Sequence, residues 1–200
     1  MFLNFQMNRK KFSKKDIEWL RDLKQQEVPK KRAICKRHQW RPEGNGQLRL
    51  VKVLDELKFH WCYEKAISKK KSLGSITIGD NLLVHSAEKV PWKCSIKHIV
   101  FDTSTDRMYL VVNWYYPPEE IDNLDADNNH KIAKHPMAIY ASRHSNYLST
   151  SSIIKKIKCL TVAEYATLQK QFKLKQIENK DVFFCPGIWN HNTKRLVTKI

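Results

Sequence analysis

The chain has 200 residues, of which 42% are hydrophobic, and it contains six tryptophans but only five glycines. That length suits one domain with a real core plus an appendage, and the composition excludes collagen-like and low-complexity chains. The formal net charge of +17 indicates a polyanionic partner, most commonly nucleic acid, with simple solubility as the alternative explanation.

Most of the positive charge lies in the first third of the chain, where Met1 to Lys71 carries 20 lysines and arginines against 8 acidic residues. Ser13 to Gln26 is predicted to form a short helix, because a capping-box-like pair precedes apolar residues at helical spacing. The basic clusters that follow are typical of phosphate contacts or of nuclear import. The residues predicted to bind nucleic acid are Lys30, Lys31, Arg32, Lys36 and Arg37. We therefore expect residues 1–54 to form a basic N-terminal extension with a helix.

The pattern changes to β from about residue 55, so residues 55–200 are expected to form one mainly β domain with a few short helices. Ile76 to Val84 reads as a strand that bends at Gly79–Asp80. Trp92 to Phe101 is the next strand, and the polar sequence of Asp102 to Arg107 predicts a hairpin connection to Tyr109–Tyr116.

A long polar excursion then runs from Pro117 to Pro136, after which Met137–Ala141 returns to strand. Ser152–Leu160 alternates in the manner of a strand, and Thr161 and Glu164 form the capping box of a helix that extends to Phe172. Val182–Cys185 is the last clear strand.

Targeting and metal-binding signals are weak in this sequence. Apolar runs are too short to cross a bilayer, and the N-terminal MFLNFQM is too short for a signal-peptide core. The five scattered cysteines form no CxxC pair, and the Asp122–Pro136 segment lacks the glycine and glutamate of a calcium loop. We therefore expect a reducing intracellular compartment, with no metal and no cofactor.

The most informative tract is YLVVNWYYPPEE, from Tyr109 to Glu120. Strand alternation puts Trp114 and Tyr116 on one face, and the strand then breaks at two prolines and turns acidic. Aromatic rings beside carboxylates suit an organic cation such as a methylated lysine. This pattern favours a binding module over an enzyme.

The order of several motifs resembles the bromo-adjacent homology (BAH) domain, from roughly Leu57 to Asn190. The motifs that carry the resemblance are IGDNLLVHS, PWKCSIKHIV, VVNWYYPPEEI, IYASRHSNYLSTSSIIKKIKCLTV and VFFCPGIWN. The family typically has Gly-Asp-x-Val-x-Val, Pro-Tyr-x-Ala-x-Ile, Val-x-Trp-Tyr-x-x-Pro-Glu-Glu, Leu-x-x-Ser and a late Tyr-Cys. The resemblance implies a distorted antiparallel β-barrel and a chromatin module that binds nucleosomes, histone tails or other proteins.

Some BAH domains carry an aromatic cage for methyl-lysine, and by resemblance the cage positions fall on Trp92, Trp114 and Tyr116. Glu120 and His144 match edge positions. Asn146 stands where several histone readers have an acidic residue that contacts the peptide, which leaves the peptide context open. The resemblance therefore implies a nuclear, non-enzymatic reader of a methylated histone-tail lysine, with histone H3 as the expected source, in a gene-silencing or chromatin-regulating complex.

Three alternatives remain open at this point. The tryptophans could pack in the core, as aromatic residues in strands commonly do. The chain could instead be a BAH module without a working cage that binds nucleosomes or DNA through its basic N-terminal region. It could also be a protein–protein scaffold within a chromatin complex.

Overall fold

The computed structural model describes residues 40–53, 56–70, 72–87, 90–102, 107–121, 134–175, 181–190 and 192–197. The predicted helix at Ser13–Gln26 lies outside these ranges. Within them the strands are β1 (Trp40–Glu43), β2 (Gln47–Val53), β3 (Glu56–Tyr63), β4 (Lys65–Ser68), β5 (Ser75–Thr77), β6 (Asn81–Val84), β7 (Trp92–Asp102), β8 (Arg107–Tyr116), β9 (Tyr140–Ser149), β10 (Ile153–Leu160), β11 (Val182–Phe184), β12 (Ile188–Asn190) and β13 (Arg195–Val197). The helix α1 spans Val162–Lys175, and short 3-10 turns lie at Pro118–Glu120 and Thr150–Ser152.

Ten of the described strands form one sheet in the order β11-β10-β6-β7-β8-β9-β12-β13, with the β2–β3 hairpin attached through β7. Most neighbours are antiparallel, as expected for short strands joined by tight connections. The ladder is an open path, but a parallel bridge between Ala138 and Phe184 brings β11 back to the start of β9. The expected mainly β, barrel-like fold is therefore confirmed, with sheets that do not close completely.

Hydrophobic residues on one face of this sheet make the main core. It contains alternate residues of β7 and β8, including Cys94, Ile96, Leu110 and Val112, which are almost fully buried. This is the period-two burial expected of a strand with one face inward. The predicted alternation along Tyr109–Tyr116 is confirmed, because Leu110, Val112 and Trp114 are buried together and Tyr116 packs against them.

Strands β1 and β2 lie before the expected domain boundary at residue 54, yet they take part in the fold. Trp40 is buried in the main core, and β1 pairs with β4. Strand β2 pairs along its whole length with β3. We therefore propose that the folded unit begins at or before Trp40 and that the basic extension is correspondingly shorter.

The β2–β3 hairpin contributes to a second apolar cluster on the opposite face of β7 and β8, where Val100 and Val111 are buried. His60 on β3 lies at its edge, where its Nε2 is 2.8 Å from the hydroxyl of Tyr147. Burial lowers the pKa of His60, and Lys58 acts in the same direction, whereas Asp102 opposes both. The imidazole is therefore held in its neutral form more strongly than in the unfolded chain.

Local signals account for the turns and the helix. Gly79 has a φ of 89°, a conformation that favours glycine, and it makes the predicted bend between β5 and β6. The capping box at the start of α1 is formed as predicted, since the backbone N–H of Thr161 donates to Glu164 at 2.8 Å and the Glu164 N–H donates to the Thr161 hydroxyl at 3.2 Å.

Candidate functional site

Strand pairing brings the predicted aromatic residues to one end of the sheet. Lys93 pairs with Tyr115 and Cys94 pairs with Trp114 in the β7–β8 ladder. Because Trp92 opens β7 and Tyr116 closes β8, this register sets Trp92 beside Tyr116 at the same strand end. The β7–β8 hairpin thus brings together aromatic residues that are about twenty positions apart in the sequence.

The two tryptophans meet edge to face. Their ring centroids are 5.2 Å apart and their planes are inclined by 89°. Trp114 is only 9% exposed and belongs to the main core, whereas Trp92 is 40% exposed and outside it. Trp114 therefore packs in the core, which is one of the alternatives that the sequence left open for the tryptophans. Trp92 lies beside it and exposes much of its surface to solvent.

Tyr116 is coupled to His144 across the β8–β9 pair. Its hydroxyl lies 2.7 Å from Nδ1 of His144, and the two rings are nearly parallel, at 28°, with centroids 6.3 Å apart. Tyr116 is half-buried and touches both the main core and a third apolar cluster, which contains Tyr140, Phe184 and Trp189 and packs against α1. The hydrogen bond and the packing together fix the orientation of the tyrosine ring.

A bulge in β9 explains how His144 reaches this position. Asn113 pairs with Ser145 and Tyr115 pairs with Ala141, so three residues of β9 oppose Trp114 alone. The buried hydroxyl of Ser142 donates to the carbonyl oxygen of Trp114 at 2.8 Å and accepts from the His144 N–H at 3.2 Å. Bulges of this kind redirect side chains near functional sites. Sequence reasoning missed Ser142, because no local pattern distinguishes it from other serines.

The acidic residues follow directly from the strand break. Pro117 and Pro118 end β8, and the 3-10 turn Pro118–Glu120 exposes both carboxylates. Burial raises the pKa of Tyr116, and the negative charge of Glu120 raises it further, so that carboxylate lies within electrostatic reach of the ring. The acidic turn and the tyrosine therefore lie near each other at this strand end.

Lys93 is a second residue that sequence reasoning missed. It lies on the opposite face of β7 from Trp92, with its Nζ 4.8 Å from the centroid of the Phe183 ring. Burial lowers its pKa, and the charges of Glu119 and Glu120 oppose that effect. The acidic turn therefore already faces one cation, which reduces the net negative charge that it presents to a ligand.

The remaining predicted residues lie farther from the rings or outside the described ranges. Asn146 pairs with Val112, two positions from Trp114 along the ladder, and its exposed side chain accepts a hydrogen bond from the Tyr147 N–H at 2.8 Å. The basic candidates outside the described residues are Lys30, Lys31, Arg32, Lys36 and Arg37. In the described ranges no group of three or more His, Cys, Asp or Glu side chains is placed to hold a metal ion. No helix in the same ranges is both long and apolar enough to cross a bilayer.

Comparison with known families agrees with this architecture. A family model for the BAH domain matches residues 75–198. The chain belongs to the BAH family. Domains of this family are in general non-enzymatic modules that associate with chromatin, nucleosomes or histones, which indicates a nuclear location.

Among solved structures, the crystal structure of the yeast Rsc2 BAH domain is 16% identical to this chain, with a TM-score of 0.46. The match covers 68% of this chain and 53% of the other, so the chain spans about half the length of that solved protein. A search of the curated proteins found no match.

Proposed function

We propose that this BAH domain reads a methylated lysine of a histone tail, with histone H3 as the expected source, through a cage of Trp92, Trp114 and Tyr116. The observation that carries the proposal is the perpendicular pair of Trp92 and Trp114 at the strand end that also bears Tyr116. Trp92 offers a partly exposed ring face to a methylammonium group, and the largely buried Trp114 adds a smaller surface beside it. In this proposal Glu120 and His144 border the cage, and Asn146 is a candidate contact for the bound peptide.

The energetics suit a weak, selective contact. A methylated ammonium group is attracted to each ring face by roughly 0.5–2 kcal/mol, depending on how completely water is excluded from the site. Three rings give a peptide affinity on the order of micromolar once ordering costs are counted. Because Trp114 is largely buried, most of the accessible ring surface comes from Trp92 and Tyr116.

The test is a set of histone-tail peptides that carry the same lysine with zero, one, two or three methyl groups. We expect one tail sequence to bind in a methylation-dependent manner and Trp92→Ala to remove that dependence. The matched control is Leu57→Ala, since Leu57 is 59% exposed on β3 and remote in the ladder from the rings. Binding that ignores methylation in every tail would overturn the proposal.

A second contact, with nucleosomal DNA, is favoured by the charge asymmetry of the sequence. The basic clusters at Lys30–Arg32 and Lys36–Arg37 would neutralise phosphates and add affinity to a tail contact through multivalency. If about five phosphates are neutralised, the logarithm of the binding constant should fall with the logarithm of salt concentration with a slope of about −4.5. A flat salt response, or unchanged DNA binding after removal of residues 1–39, would refute this contact. Binding of neither DNA nor methylated tails would favour a scaffold in a chromatin-regulating complex.

A further inference from the structure

Five of the described strands lie at the ends of sheets, and four of these have four residues or fewer. Strands β5, β11 and β13 have three residues each, and β1 has four residues with Pro42 among them. A strand edge offers unpaired N–H and C=O groups to any extended chain, whereas a short strand or a proline limits that pairing. These four edges are therefore poor templates for an added strand.

Strand β2 is the exception among these end strands. It has seven residues, Gln47–Val53, and none of them is proline. Every one pairs with β3 without a shift of register, so the strand has no bulge, and β2 has no second partner strand among the described residues. Alternate residues of an antiparallel strand direct their backbone N–H and C=O groups away from the paired side. About three or four residues of β2 therefore offer these groups outward.

The side chains of β2 determine which ligand this edge suits. Leu50 is exposed at the middle of the strand, opposite Phe59 of β3, and Arg49 and Lys52 are exposed as well. Because successive side chains point to opposite faces, Lys52 lies on the face of Leu50 and Arg49 lies on the other face. Arg49 also donates from Nε to the side-chain oxygen of Gln47 at 3.1 Å. The edge is thus apolar at its centre and positive on both faces, and β2 contains no acidic residue.

The charge of this edge distinguishes between the candidate occupants. A second copy of the chain would bring another Arg49 and Lys52 to the edge, and the formal net charge of +17 opposes self-association. Residues 1–39 carry 12 lysines and arginines against 4 acidic residues, so that segment of the same chain is positive too. Nucleic acid matches the charge but lacks the amide N–H and C=O groups that extend a sheet. An acidic, extended polypeptide meets both requirements.

We propose that the free edge of β2 binds an acidic, extended segment of a partner protein as an added antiparallel strand. Antiparallel pairing is slightly more stable per residue than parallel pairing. In that direction the partner places an acidic residue opposite Lys52, an apolar residue opposite Leu50 and an acidic residue opposite Arg49. Read from its N-terminus, the partner has the pattern acidic-x-apolar-acidic. Backbone hydrogen bonds supply the affinity, and the side-chain pairs select the partner.

This edge is separate from the aromatic site. Strand β2 precedes residues 75–198, which match the BAH family model. Its partner β3 joins β7 at Ile99–Phe101, whereas Trp92 lies at the other end of β7. A strand added to β2 therefore leaves the rings free, and one domain can hold chromatin and a second protein at once. The proposal does not depend on methyl-lysine binding and stands or falls separately from it.

The first test uses the full, unmutated chain and a capped synthetic peptide, Thr-Glu-Val-Leu-Glu-Val-Thr, which has the acidic-x-apolar-acidic pattern. In NMR spectra of the isotope-labelled protein, the peptide should shift the amide signals of Gln47–Val53 and leave those of Trp92 and Tyr116 unchanged. Two further peptides carry N-methyl groups at the even or at the odd positions. Only one of them should lose binding, because a strand that pairs along one edge uses the amides of alternate residues.

Charge reversal tests the choice of partner. Lys52→Glu should weaken binding of the acidic peptide roughly 2- to 30-fold, because an attractive cross-strand pair becomes a repulsive one. The double variant Arg49→Glu, Lys52→Glu should instead prefer the peptide in which lysine replaces both glutamates. Lys170→Glu, at an exposed position of α1, is the matched control and should bind the acidic peptide as the unmutated chain does.

Four results would overturn the proposal. These are no binding of the acidic peptide to the full chain, amide shifts centred outside β2, an equal effect of the two N-methylated peptides, and an unchanged peptide preference in the double variant. A concentration-dependent dimer that the peptide dissociates would assign the edge to a second copy and would overturn it as well. The N-methyl comparison needs no variant, so it is decisive even where a substitution prevents folding.

Discussion

Replacing Trp92 by alanine separates the ligand-binding role of the rings from their packing role. Trp92 is 40% exposed and lies outside the main core, whereas Trp114 is 9% exposed and lies within it. Both substitutions remove the same edge-to-face contact, which is worth roughly 0.5–1.5 kcal/mol beyond buried area. Only Trp114→Ala also leaves a cavity in the core. We therefore expect a loss of unfolding free energy of about 3–5 kcal/mol for Trp114→Ala and about 2 kcal/mol for Trp92→Ala.

For binding, the less destabilising variant, Trp92→Ala, is the more informative of the two. Trp92→Ala removes one accessible ring face, worth roughly 0.5–2 kcal/mol, so the affinity for a trimethylated peptide should fall roughly 2- to 30-fold while the protein stays folded. Urea denaturation measures the first quantity and calorimetry the second. Leu57→Ala, on an exposed part of β3, should change stability by less than about 0.5 kcal/mol and leave binding intact. The reasoning is refuted if Trp92→Ala destabilises as strongly as Trp114→Ala or if it leaves peptide affinity unchanged.

Three further outcomes are expected from other parts of the structure. Tyr116→Phe keeps the ring but loses the 2.7 Å hydrogen bond to His144, so stability should fall by roughly 0.5–1.5 kcal/mol, and a urea midpoint equal to that of the unmutated chain would contradict this. Gly46→Ala would place a Cβ 2.7 Å from the Tyr63 ring, and a loss of about 1–3 kcal/mol is expected in the same assay, whereas an unchanged midpoint would disprove the close approach. Because the pKa of His60 is lowered in the fold from 6.5, the unfolded chain binds a proton first, so stability present at neutral pH is lost as pH falls through the unfolded value. His60→Gln should flatten that dependence between roughly pH 7.5 and 5.5, and an equally steep curve would show that other groups cause it.

Local sequence signals predicted much of the fold. The alternation of Tyr109–Tyr116, the pairing of the strands on either side of the predicted hairpin connection and the capping box of Thr161 and Glu164 each depend on residues near one another in the chain, and each is present. Alternation also placed Trp114 and Tyr116 on one face. The family resemblance added Trp92, which the β7–β8 register then brings to the same strand end.

Features that depend on distant pairing were not predictable in the same way. Strand β9 continues to Ser149 rather than ending near Ala141. Its polar residues have low β propensity, and hydrogen bonds to β8 keep them in the strand. The bulge at Ser142, the position of Lys93 and the inclusion of Trp40 in the core arise from the same long-range contacts.

The central claim, that the rings bind a methylated ammonium group as a cation, is tested most directly with two peptides of one histone tail. One carries trimethyl-lysine, and the other carries its neutral isostere, in which carbon replaces the charged nitrogen. Shape and apolar area are the same, so calorimetry isolates the attraction between the charge and the ring faces. We expect the trimethyl-lysine peptide to bind with a Kd on the order of micromolar and the neutral peptide to bind at least about tenfold more weakly. Equal affinity of the two peptides would contradict the account.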